Sequence, residues 1–185
     1  MPNFFDQHIQ NIQDWEIGTY ENCEFSGLDF KQIPIKGAKF IECRFKDCDL
    51  SNISVSGCSF QAVAFEKCKL QGVQFEAANP FGYEFVFKSC LLRHATFYQV
   101  NLQQSSFQDC DLTEVDFTEI KAQGTPFINC ELVGAIFENA DLRKANFDQS
   151  VNLLLDPEQN QVKGLQINSA LLTGLLTKYQ LTIKG

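Results

Sequence analysis

Large apolar side chains recur at every fifth residue along most of this 185-residue chain. From Tyr20 the series runs Phe25, Phe30, Ile35, Phe40, Phe45, Leu50, Val55, Phe60, Phe65, Leu70, Phe75, Pro80 and Phe85. After a two-residue slip it resumes at Phe87 and continues with Leu92, Phe97, Leu102, Phe107, Leu112, Phe117, Ala122, Phe127, Leu132, Phe137, Leu142 and Phe147. Pro80 alone among these 27 positions is not apolar or aromatic, whereas a 44% apolar composition would fill about 12 of them. On an α-helix a step of five turns about 500°, so successive members drift by roughly 140° and share no face. On a flat strand, residues five apart point to opposite sides. All of them face one core only if the chain turns a corner about every five residues.

A second register supports this. Two residues before the centres stand Cys23, Ile33, Ala38, Cys43, Cys48, Ile53, Cys58, Val63, Cys68 and Val73, then Cys90, Ala95, Val100, Cys110, Val115, Cys130, Ala135, Ala140 and Ala145. In extended backbone residues i and i−2 share a face, so both point inward and the residue between them points out. Four steps of five make a longer unit. Lys46-Asp-Cys-Asp-Leu50 recurs as Glu66-Lys-Cys-Lys-Leu70, Lys88-Ser-Cys-Leu-Leu92, Gln108-Asp-Cys-Asp-Leu112 and Ile128-Asn-Cys-Glu-Leu132. A coil of four short sides closes after each such unit and stacks like on like at the β-ladder spacing of about 4.7–4.9 Å. A leucine-rich repeat is excluded because its Leu-x-x-Leu-x-Leu spacing is absent.

The repeating unit, a small apolar residue, a polar residue, then Leu or Phe and two more, resembles the pentapeptide repeat proteins over residues 18–150. The resemblance implies an all-β fold, a right-handed quadrilateral β-helix of about 7–8 coils; the hand comes from the resemblance, not from the spacing. The chain reads as one domain. Residues 1–17, with Phe4, Phe5, Ile9, Ile12 and Trp15, form an N-terminal cap. Residues 18–150 form the β-helix, and 151–185 the last coil and a C-terminal capping or dimerisation helix.

That helix is expected over Ser169–Tyr179, with Ser169 as N-cap and Leu171, Leu172, Leu175, Leu176 and Tyr179 as its apolar stripe. Leu181 and Ile183 are expected to follow as a short strand. A solenoid must cover its open ends, so the stripe is read as a lid; the resemblance adds contact with a second copy, leaving monomer and homodimer both open. The slip lies in Glu76–Phe87, where Asn79, Pro80 and Gly82 are turn formers. It is read as a bulge that kinks the rod near residues 78–87, with a recognition loop as the alternative.

All eight cysteines (Cys23, Cys43, Cys48, Cys58, Cys68, Cys90, Cys110 and Cys130) occupy the inward i−2 seat that Ala, Val and Ile also fill, so they read as small buried hydrophobes. Side chains projecting in parallel from one ladder are poorly aimed for a disulfide. Neither Cys-x-x-Cys nor Cys beside His occurs, so no metal is expected. Catalytic residues and cofactors are not expected either: no phosphate loop, His-Glu-x-x-His or nucleophile elbow is present, and carboxylates on a convex rod find no water-excluding pocket. The protein is read as a non-enzyme.

No apolar run approaches the roughly 20 residues of a membrane span. The first residues lack the basic and long apolar stretches of a signal peptide, and free thiols suit a reducing compartment, so a cytoplasmic location is expected. With 15 basic and 23 acidic residues the net charge is −8, which opposes direct nucleic-acid binding. Acid concentrates in two runs. Asp6, Asp14, Glu16, Glu21, Glu24 and Asp29 precede the first lysine, and Asp109, Asp111, Glu114, Asp116 and Glu119 precede Lys121. The second run is the candidate interaction surface. Some pentapeptide repeat proteins, the Qnr and MfpA types, imitate DNA and protect DNA gyrase from quinolones. The resemblance therefore implies a type II topoisomerase, DNA gyrase or topoisomerase IV, as a partner. The alternative is a scaffold whose acids serve solubility.

Overall fold

The corners demanded by the five-residue step are made by left-handed backbone two residues after most centres. Asn22, Glu42, Asp47, Asn52, Lys67, Ser89, His94, Gln99, Asp109, Glu114, Glu119 and Asn129 all have φ between 52° and 59°, and Gly27, Gly37, Gly57 and Gly72 take the same place. At Gln32 and Ala77 the corner is instead the end of a 3-10 turn, Phe30–Gln32 and Phe75–Ala77. Left-handed backbone costs an L-residue roughly 1–2 kcal/mol, so Gly and Asn are favoured there. Ala62, at φ 51°, has neither advantage. Ala62→Gly is expected to raise stability by about 0.5–1 kcal/mol, whereas Ala64→Gly, in an extended strand two residues on, should lower it by a similar amount. Urea denaturation of the two variants checks this reversal of sign.

The computed structural model describes residues 1–181. The chain coils into a parallel β-solenoid of about 8 turns. The first wall carries β1 (Asn3–Phe5), β3 (Thr19–Glu21), β5 (Lys39–Ile41) and β7 (Ser59–Gln61). The second wall carries seven strands: β2 (His8–Ile9), β4 (Glu24–Ser26), β6 (Arg44–Lys46), β8 (Val63–Glu66), β9 (Phe85–Lys88), β10 (Ser106–Gln108) and β11 (Phe127–Ile128). Further along the rod β12 (Asn146–Phe147) pairs with β13 (Gln166–Ile167). The third wall is a ladder of single bridges through Asp29, Asp49, Lys69, Leu91, Asp111, Glu131 and Val151, and the fourth runs through Gln74, Thr96, Asp116 and Ile136. Pairing is offset by sixteen residues in the first coil (Asn3↔Thr19), by twenty-two across the slip (Val63↔Phe85) and otherwise by twenty, as in Phe45↔Phe65 and Phe107↔Phe127.

Every predicted centre except Pro80 is buried. On the second wall Phe25, Phe45, Phe65, Phe87, Phe107, Phe127 and Phe147 form one continuous stack, with successive ring centroids 4.7–5.2 Å apart. Phe75, Phe97, Phe117 and Phe137 stack on the fourth wall and meet the second-wall rings edge to face. Stacked contacts along the rod and T-shaped contacts across it are the two arrangements that the ring quadrupole favours.

The slip needs a correction to the five-residue series. Phe85 does not hold a centre seat: it pairs in register with Val63, so it occupies the i−2 seat, and Phe87 pairs with Phe65. The two extra residues fall between Asn79, which still bridges to Ser59 at an offset of twenty, and Phe85. They place Tyr83 inward, its hydroxyl donating to the Phe75 carbonyl at 2.9 Å, and leave Pro80 and Phe81 outside.

At the start of the chain Phe4 stacks on Tyr20 at 4.6 Å and Trp15 on Tyr20 at 5.1 Å, while Trp15 Nε1 donates to the Pro34 carbonyl. At the other end a 3-10 turn (Ser169–Leu171) leads into α1 (Leu172–Leu176) and a second turn (Thr177–Tyr179). The cap is Asn168 rather than Ser169: its side chain accepts from Ala170 N at 3.0 Å. The expected stripe divides, since Leu171 is buried and Leu175 packs on the core, whereas Leu172 and Tyr179 are about half exposed. Short 3-10 turns on either side of α1 rotate the leucines out of a single line. Leu181 is exposed and in no strand, and Ile183 lies outside the described residues.

Candidate functional site

The five acids singled out in the sequence follow one coil around half of its circumference. Asp109 is at the corner between the second and third walls, Asp111 on the third wall, Glu114 at the next corner, Asp116 on the fourth wall and Glu119 at the corner beyond. They form a belt rather than a line along the rod axis. Glu131 stands directly next to Asp111 in the third-wall ladder, and Glu138 follows on the fourth wall. Those two residues were missed because the search followed runs along the chain, whereas stacking joins residues twenty apart.

Between residues 109 and 138 there are seven acids and one cation, Lys121, and that lysine sits on the first wall between Asn101 and Asp141. Arg93, one coil away, donates to Asp111 at 2.6 Å. Partial burial pulls the Asp111 carboxyl upward, but hydrogen bonds from Thr113 and Arg93 outweigh it and hold the group below its ordinary value. The other belt acids meet neutral or weakly basic groups: Asn129 donates to Asp109 at 2.7 Å, Gln99 to Glu119 at 2.7 Å, Thr118 N to Asp116 at 2.8 Å, and His94 Nδ1 lies 3.0 Å from Glu114. Glu131 accepts from Asn152 at 2.7 Å. Like charges facing each other across a ladder oppose folding, so Asp111 beside Glu131 gains nothing for the fold.

Nearer the start of the rod Asp49 is held by a cation as Asp111 is. Lys31 Nζ bridges Asp49 at 2.9 Å and Asp29 at 3.8 Å. Burial opposes ionisation of Asp49, but bonds from Lys31 and Ser51 prevail and hold its carboxyl at about 2. A carboxyl depressed in the folded state stabilises above its unfolded value, near 3.9, and that contribution fades as pH falls towards 2. Asp49→Asn is therefore expected to lower the melting temperature at pH 7 and to converge on the parent by pH 2, which a calorimetric pH series would read.

The cysteines are all buried and free. Each of those from Cys43 to Cys130 places Sγ 3.0–3.7 Å from the carbonyl of a centre one coil back, such as Cys58 to Ile35, Cys68 to Phe45 and Cys90 to Phe65. Thr125, Ser150 and Asn160 serve the same kind of carbonyl, at Leu102, Phe127 and Phe137, over 2.7–2.9 Å. Where the i−2 seat holds Cys, Thr, Ser or Asn rather than Ala, Val or Ile, its side chain can thus donate to the coil before, a contact the spacing did not reveal. Burial pushes the Cys43 and Cys58 thiols up to about 11, far from a reactive thiolate.

The C-terminal grooves complete the inventory. Two cavities of about 370 and 410 Å³ flank α1; Val133 and Leu154 rim one, Ile136 and Leu154 the other. No helix among the described residues is long and apolar enough to cross a membrane, and no cluster of His, Cys, Asp and Glu among them could hold a metal ion.

Comparison with known proteins agrees with this geometry. No curated protein sequence matches the chain. Among solved structures, HetL, a pentapeptide repeat protein involved in heterocyst differentiation regulation in the cyanobacterium Nostoc, is similar at 14% identity and a TM-score of 0.50, covering 89% of this chain and 84% of its own. A trypsin-treated variant of QnrB1, a plasmid-mediated fluoroquinolone resistance protein, aligns over 98% of this chain and 97% of its own at 19% identity and a TM-score of 0.47. The family model described as pentapeptide repeat region matches residues 13–85 and 84–153. With coils, corners and inward seats all repeating on that period, the chain belongs to the pentapeptide repeat family.

Proposed function

We propose that this protein is a non-catalytic binding rod whose acidic third and fourth walls engage the DNA-binding surface of another protein. The observation that carries the reading is the belt from Asp109 to Glu138, where seven carboxylates lie on or beside the third and fourth walls and, among the described residues, Arg93 is the one lysine or arginine paired with any of them. Carboxylates set next to one another, most of them with no cation paired to them, make a surface suited to a basic cleft. The family resemblance names the first partner to try, a type II topoisomerase.

Purified protein added to a DNA gyrase supercoiling assay, with and without a quinolone, tests that partner. Inhibition or protection at micromolar concentration, lost in a variant with Asp109, Asp116 and Glu119 changed to Asn, Asn and Gln, is the expected result. No effect in either arm removes gyrase as the partner. Binding through the belt should weaken steeply as ionic strength rises, because the Debye length shrinks from about 10 Å at 0.1 M salt to about 3 Å at 1 M.

A second reading rests on a separate observation. Val133, Ile136, Leu154 and Leu172 are each 44–55% exposed around the grooves beside α1. We propose this end as the contact for a second copy, which would make the rod a homodimer. Salt would leave that contact intact, so sedimentation at low and high ionic strength separates the two surfaces.

A further inference from the structure

The start of the rod ends in open β-edges. Among the described residues, β1 pairs only with β3 and β2 only with β4, so one side of each is unpartnered. In a parallel ladder alternate residues turn their N–H and C=O to opposite neighbours. Thr19 N donates to the Pro2 carbonyl, Asp6 N to the Glu21 carbonyl and Glu24 N to the Gln7 carbonyl. The main-chain groups of Asn3, Phe5 and His8 are therefore the ones that face away from the rod.

Side chains and charge specify what this edge can take. Phe4 points inward and is only partly buried, so the inward residue of an added strand would stack on it, which calls for an apolar side chain. Phe5, 56% exposed, offers the outer face a broad apolar surface. Asp6 follows it in the chain and Glu21 is its ladder partner, while Glu24, beside His8, has Arg44 as its next partner along the ladder. Glu21 lies one coil inward, within reach of long cationic side chains. A second copy meeting this edge through its own edge would bring acid onto acid, and the far end carries α1.

We propose that this edge is a peptide-docking site: the outer side of β1 accepts, by strand addition, an extended segment of a partner protein in which apolar residues alternate with Lys or Arg. Main-chain hydrogen bonds to Asn3 and Phe5 supply the register, Phe4 receives the apolar position, and the carboxylates of Asp6 and Glu21 select the cationic ones. The site is independent of the acidic belt and of the surface beside α1.

The test uses the full chain and a seven-residue peptide of alternating Val and Lys, with the Glu counterpart and a version with Pro at the central Val as controls. Trp15, the one tryptophan, stacks on Tyr20 just inside the edge and reports by fluorescence. Saturable binding of the Val-Lys peptide is expected, at least tenfold weaker for the Pro peptide and absent for the Glu peptide. Hydrogen exchange should slow at the amides of Asn3 and Phe5. The combined variant Asp6→Asn, Glu21→Gln should lose at least tenfold in affinity, and belt variants should lose nothing. No binding, equal binding of the Pro peptide, or protection at the belt instead of the edge would overturn the proposal and leave the reading of the belt untouched.

Discussion

Phe107→Ala is expected to cost about 3–5 kcal/mol, the range for removing a fully buried aromatic ring. The ring stacks on Phe87 at 5.0 Å and on Phe127 at 4.9 Å, and meets Phe97 and Phe117 edge-on at 5.7 and 5.8 Å. None of it is exposed. Four rings lose a neighbour at once, and the coils above and below are tied by main-chain ladders that limit collapse into the void. Gln103→Ala, which removes an exposed side chain from the same coil, should stay within roughly 0.5 kcal/mol. Chemical denaturation of the pair decides the matter: equal, mild losses would mean that the rings do not share one core.

The second large effect is expected at Gly174. A Cβ built there would lie 1.8 Å from the Leu153 carbonyl oxygen and 3.0 Å from its carbon. Both are main-chain atoms, so no rotamer change relieves the clash. The backbone of α1 lies flat on the chain at Leu153–Leu155, and Leu155 N points to the Gly174 carbonyl at 3.5 Å. Gly174→Ala should lift α1 off the last coil, with a loss of about 1–3 kcal/mol if the rod accommodates it by local shifts. Because the contacts of a solenoid are between neighbours, the rest of the rod should stay folded. Limited proteolysis would then cut within residues 168–181 while leaving the coils whole. If the variant resisted protease as the parent does, close packing of α1 on Leu153 would be refuted.

Most of the core was legible in the sequence because the burial rule here is strictly periodic. Phe25, Phe45 and Phe65 announce their stack by spacing alone, and Cys48, Cys68 and Cys90 announce theirs two residues before Leu50, Leu70 and Leu92. What the period could not carry is what departs from it. Phe85 matched the five-residue step, yet the ladder assigns that step to a different seat, because the insertion begins before it and not after. The helix cap was misplaced by one residue because Asn168 and Ser169 are both good N-caps, and only the geometry of the preceding strand chooses between them. The belt was half legible: a run of acids along the chain identifies a coil, but which acids become neighbours depends on a twenty-residue offset, and that brings Glu131 beside Asp111. The open edge at β1 was not legible, since edges are a property of what fails to pair.

The donor seats lead to one more consequence. The thiols from Cys43 to Cys130 and the hydroxyls of Thr125 and Ser150 refer to carbonyls one full coil back, and beyond the slip the rings refer to rings twenty residues away. Nothing in such a scheme counts coils. Excising or duplicating one twenty-residue unit within 91–150 would present every seat at the new seam with an equivalent partner. The rod would then shorten or lengthen by one rung, about 4.8 Å, without being redesigned. Length is thus a quantity that this architecture can alter in discrete increments, as a ruler is cut at its marks.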